Sequence, residues 1–108
     1  MTISTTTLKN AARAIECDLW TDPATGANYL AKDGAILRRW EPAEDDGDAL
    51  RLALMLKITI EISGNDDEFY EVCCGAHWES FFFDRDAPAA ARRVIVLAAA
   101  SIGEYLCQ

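Results

Sequence analysis

Apolar and polar positions follow two periods along this 108-residue chain, and the changes of period mark out its elements. Leu8, Ala11, Ala12 and Ile15 recur at helical spacing. They predict a short first helix that ends near Glu16 and is capped by Ser4 or one of Thr5, Thr6 and Thr7. Asp18 to Thr21 reads as a brief strand, and Asp22-Pro23-Ala24-Thr25-Gly26 is turn chemistry. Asn28 to Lys32 and Ala35 to Trp40 flank Asp33-Gly34, a pair suited to the positive φ angles of a two-residue hairpin.

The stretch from Trp40 to Lys57 is the centre of the pattern. Pro42 holds Glu41 extended, and carboxylates follow at Glu44, Asp45, Asp46 and Asp48, where a helix N-terminus favours negative charge. Asp45 or Asp46 is the expected N-cap. Behind it Ala49, Leu52, Ala53 and Leu56 fall at i, i+3, i+4 and i+7, with Leu50 and Leu54 widening the stripe and Asp48, Arg51 and Met55 on the opposite face.

Ile58 to Ser63 then alternates, which predicts a strand with one buried face and one wet one. After the loop Gly64-Asn65-Asp66-Asp67, Phe69 to Cys74 predicts a strand, and Gly75-Ala76 turns the chain into His77 to Phe83. Trp78 and Phe82 share one face there and Phe81 and Phe83 the other, a pattern that predicts cover on both sides. Asp86 is placed to cap a last helix that tolerates Pro88 in its first turn. From Val94 to Gly103 this helix carries no charge. Val94, Leu97, Ala98, Ser101 and Tyr105 form one core stripe beside Ile95 and Ile102, and Val96, Ala99, Ala100 and Gly103 remain as a second surface of small residues. Internal burial is the expected fate of that surface, and self-association in a homodimer is the alternative.

These elements predict one α+β domain over residues 1–108, with three helices on a mainly antiparallel sheet of about five strands, in the manner of an α/β/α sandwich. Apolar residues make up 51% of the chain, enough for a buried core. The net charge of −8 opposes binding to a phosphate backbone, and the pairs Arg38-Arg39 and Arg92-Arg93 are too small to reverse that. Instead the acids gather into two clusters, Glu41 to Asp48 and Asp66 to Glu71, which suit a basic protein partner. The run at Asp46 does not match a calcium loop, because the twelfth position is Lys57. No cofactor is expected. A polar opening from Met1 to Asn10 and the lack of a long apolar run suggest neither signal peptide nor membrane span, so a cytoplasmic location is expected.

Cys17, Cys73, Cys74 and Cys107 lack metal-ligand spacing, and Cys73 and Cys74 should point to opposite faces of their strand. His77 with Cys73 or Cys74 and Glu79 is the best assembly for nucleophilic catalysis. A histidine at the sheet margin is the simpler account, so no catalytic residue is expected.

Trp40, Pro42 and Asp45-Asp46-Gly47-Asp48-Ala49-Leu50-Arg51-Leu52-Ala53 form one recognisable block, and Ala91-Arg92-Arg93 through Ala98-Ala99-Ala100-Ser101-Ile102-Gly103 form another. With an opening helix at Leu8 to Ala14, they resemble the phage ABA (α/β/α) sandwich domain family of small phage and prophage proteins. The chain departs from that pattern with Glu41 in place of Asn and with the apolar Leu97 in place of a polar residue. The resemblance implies a helix–sheet–helix fold and a phage or prophage origin, and it supplies no catalytic residues. The expected function is a non-catalytic protein-binding module that meets a host or phage protein through Glu44, Asp45, Asp46, Asp48, Asp66, Asp67 and Glu68. The alternatives are an acidic inhibitor of a host defence protein that mimics nucleic acid, and a self-assembling structural component.

Overall fold

A computed structural model of the chain describes residues 3–64, 69–82 and 87–106. Helix α1 spans Thr5–Ala14, followed by β1 (Asp18–Thr21), β2 (Asn28–Lys32) and β3 (Ala35–Arg39). Helix α2 (Asp46–Leu56) leads to β4 (Glu61–Gly64), β5 (Phe69–Cys74), β6 (His77–Phe82) and helix α3 (Ala87–Leu106). The α+β class stands.

The caps follow the local chemistry. Ser4 Oγ accepts the Thr7 N–H at 3.1 Å and starts α1, and Asp45 accepts the Asp48 N–H at 2.8 Å and starts α2. Lys57 takes the left-handed conformation after α2, and the Ile58 N–H returns to the Ala53 carbonyl at 2.9 Å. This closing bond takes Ile58 out of the expected strand, which begins only at Glu61. Asp33 and Gly34 both have positive φ and join β2 to β3. The capping position expected at Asp86 lies outside the described residues.

The single sheet of about five strands does not form. The strands make two three-stranded antiparallel sheets, ordered β1-β2-β3 and β4-β5-β6. Antiparallel neighbours are built through short turns, whereas the connection between β3 and β4 is a whole helix, a linkage that suits parallel strands. Each meander therefore closes on itself.

The core lies where the three helices meet the inner faces of the sheets. Leu8, Ala11 and Ala12 of α1, Leu52 and Ala53 of α2, and Val94, Val96 and Ala99 of α3 are buried in one cluster with Leu30, Trp40, Val72 and Cys74. Pairing of α1 with α3 is the most extensive contact between helices. Its cause is residue size: a Cβ at Gly103 would overlap the Asn10 carbonyl oxygen and come within 2.7 Å of the Asn10 carbonyl carbon. Small side chains let the two backbones touch.

That packing buries the second surface of α3, the preferred of its two expected fates, and corrects the expected core stripe. Val96, Ala99, Ala100 and Gly103 are all buried, whereas Ser101 and Tyr105 of the expected core stripe are exposed. The helix is rotated relative to the expectation because its small face seats α1. The four residues are thus buried within the chain, Gly103 against α1, and are not open to a second copy.

Cover of the second sheet is one-sided. Val72 and Cys74 face inwards, and α3 lies over β5 and β6. Cys73, on the other face of β5, is half-buried, as alternation requires. Trp78 also faces away from α3 and is 63% exposed, which corrects the expectation of cover on both sides. Phe81, Phe82 and Phe83 have side chains outside the described set. The expected buried face of β4 is corrected too. Ile62 pairs with Val72 and shares its face, yet it is 70% exposed against 1% for Val72, because α3 packs on the two strands beyond it.

Candidate functional site

Two neighbouring features make up the candidate site: the acidic N-terminal end of α2 and the outer face of the same helix. Glu44, Asp45 and Asp46 are exposed at that end, as expected. Asp48 is not. It is buried, and its carboxylate accepts from Arg38 at 2.8 Å, from Arg51 at 2.7 Å and from the Glu41 backbone N–H at 2.8 Å. The expectation that Asp48 meets a partner is therefore corrected: it ties β3 and the Glu41 loop to α2. Burial alone pushes its carboxyl up, but the Glu41 N–H bond, the Arg51 bond and the Arg38 and Arg51 charges hold it below the ordinary carboxylate value. Asp66, Asp67 and Glu68 lie outside the described residues.

Of the exposed acids, Asp46 is partly neutralised by Arg92, whose Nε also donates to the Ala43 carbonyl at 3.1 Å. Asp45 sits 4.0 Å from Arg51. Glu44 makes no ion pair among the described residues. A cleft of about 460 Å³ opens beside this end, lined by Arg38, Arg39, Glu41, Glu44, Asp45 and Asp48. Arg39 is its one cation without a side-chain partner among the described residues. Glu41 accepts the Asn28 N–H at 2.9 Å and the Asn28 Nδ2 at 3.2 Å. It is a structural strut between the β2 start and the α2 approach.

The outer face of α2 is the feature that periodicity placed wrongly. Leu50 and Leu54, one helical turn apart, are 54% and 68% exposed, and Met55 is 62% exposed. Ala49, Leu52 and Ala53 fill the available contact with the core, so the extra leucines that seemed to widen the stripe point away from it. No signal in the sequence separates them from core leucines. Nor could it reveal Arg38 as the partner of Asp48, a contact set by the fold.

The assembly considered for catalysis comes apart. His77 Nε2 lies 2.7 Å from Ser101 Oγ, and Glu79 pairs with Arg93 through two hydrogen bonds. Both partners lie on α3, so these residues pin β6 to the helix. Burial raises the Cys73 thiol above its usual value, with the Glu71 hydrogen bond and the Glu71 and Glu61 charges acting in the same direction. Burial likewise raises Cys74, aided by Cys73. Such thiols stay protonated and are poor nucleophiles. Among the described residues, Cys17, Cys73 and Cys74 are free, and no three His, Cys, Asp or Glu side chains gather as metal ligands. No helix among them is long and apolar enough to cross a membrane.

No family model, no curated protein and no solved structure matches this chain.

Proposed function

We propose that the chain is a non-catalytic protein-binding module that docks a partner on the outer face of α2. The observation that carries this reading is the exposure of Leu50, Leu54 and Met55 on a helix whose core face is already filled elsewhere. Exposed apolar side chains grouped on one helix face favour a protein contact over solvent. Glu44 and Asp45 at the end of that face, with a net charge of −8, favour a partner with an apolar groove rimmed by lysine or arginine. The resemblance to phage proteins makes a bacterial host or phage protein in the cytoplasm the natural partner class.

A nucleic-acid mimic is less well supported, since Asp48 is buried and Asp46 is engaged by Arg92. The test is a pull-down from bacterial lysate with the wild-type chain and with Leu50→Ser/Leu54→Glu, at low and at high salt. A partner held by the wild type and lost with the variant supports the reading. A partner held equally by both sinks it. Loss at high salt without loss in the variant would favour the mimic.

A further inference from the structure

A second cavity, of about 350 Å³, opens between the N-terminal end of α1, the ends of β1 and β2 and the approach to α2. That volume suits a small molecule. Ile3, Leu8 and Ala43 give it an apolar lining, and Glu41 is its half-buried carboxylate. Both bonds that hold this carboxylate come from Asn28, which is fixed in turn by the Thr21 hydroxyl, donating to Asn28 Oδ1 at 2.6 Å. Every donor in that chain is neutral, and Glu41 makes no ion pair among the described residues. Its charge is therefore positioned without being neutralised. The surroundings stay negative as well. Arg93, the cation that lines the cavity, is bonded twice to Glu79. The first turn of α1 holds no acid and contributes a partial charge of about +0.5, less than the charges of Glu41 and Glu44 that oppose it.

We propose that this cavity binds a small primary alkylammonium ion, with its –NH₃⁺ on Glu41 and its hydrocarbon stem against Ile3, Leu8 and Ala43. The ammonium brings the missing positive charge and three donors. Each Glu41 oxygen accepts one bond from Asn28 and keeps a further lone pair, and the Thr5 hydroxyl on the same cavity makes no hydrogen bond among the described residues. An anion would meet uncompensated carboxylates. A bare metal ion would gain nothing from the apolar lining, and a quaternary ammonium has no N–H to donate. The inference stands apart from the reading of α2 above, because it involves none of Leu50, Leu54 and Met55; either can fail without the other.

A ligand of so few atoms binds weakly, so the test is an NMR titration of backbone amides in the full chain. The probe is n-butylammonium chloride, with tetramethylammonium chloride and potassium chloride as comparators at equal ionic strength. Butylammonium should give saturable shifts at Thr5, Asn28, Glu41 and Ala43 that the comparators do not give. Glu41→Gln keeps a carbonyl for Asn28 but removes the charge, and should weaken binding about tenfold. Ala43→Leu fills the cavity while keeping every charge, and should weaken it about as much. The spectra themselves show whether each variant is folded, and the folded one of the two decides if the other is not. Shifts that the comparators reproduce overturn the proposal, since they reflect only attraction to a chain of net charge −8. So does the absence of saturable shifts, or a folded variant that binds butylammonium as the wild type does.

Discussion

Helices α2 and α3 each carry two apolar faces, and the fold uses them in opposite ways. On α3 the small residues Val96, Ala99, Ala100 and Gly103 are sealed inside, while on α2 the large residues Leu50, Leu54 and Met55 stand in solvent. Hydrophobicity alone would place the large face inside, since each buried leucine is worth about 1.5–3 kcal/mol. Geometry decides otherwise. Contact between α1 and α3 brings the backbones so close that no Cβ fits at Gly103. Packing of α2 on α3 is already complete with Ala49, Leu52 and Ala53. An apolar face left exposed under those conditions is available for a partner.

The largest effect should come from filling the α1–α3 contact. Gly103→Ala adds one methyl group against the Asn10 carbonyl, and the helices must separate; a loss of about 3 kcal/mol in denaturant unfolding is expected. Asp48→Ala comes next, at about 2 kcal/mol in the same measurement, because the Glu41 N–H loses its acceptor. That cost stays below the cost of breaking a fully buried ion pair, since Arg38 and Arg51 are half exposed and can rehydrate.

The Asp48 hub also sets an acid dependence. Its carboxyl titrates below the ordinary value in the folded chain, so the unfolded chain takes up the proton first as pH falls. The stabilisation is complete above about pH 5 and is lost as pH drops through the unfolded value near 4 towards the lower folded one. Asp48→Asn should therefore unfold with a flatter acid limb than the wild type. An unchanged limb would remove Asp48 from the account.

Much of the fold was legible locally. The cap at Asp45, the hairpin at Asp33-Gly34 and the strand pair through Gly75 depend on residues close in sequence, and each formed where its chemistry placed it. Tertiary facts were not legible. A helix that is apolar nearly all round has no single preferred direction, so α3 gave no warning that α1 would seat on its small face. Likewise the alternation of Ile60 and Ile62 predicted a buried face, but burial depended on how far α3 reaches across the sheet. For the candidate site, Glu44, Asp45 and Asp46 were legible as exposed acids. The internal use of Asp48 depended on Arg38 in another element, which no spacing rule connects to it.

The contrast between the two helix faces is tested most directly by melting Gly103→Ala and Leu54→Gln beside the wild type. Gly103→Ala should melt several degrees lower, while Leu54→Gln should stay within about 0.5 kcal/mol of the wild type. A large loss for Leu54→Gln with little change for Gly103→Ala would contradict it, and would return the outer face of α2 to the core.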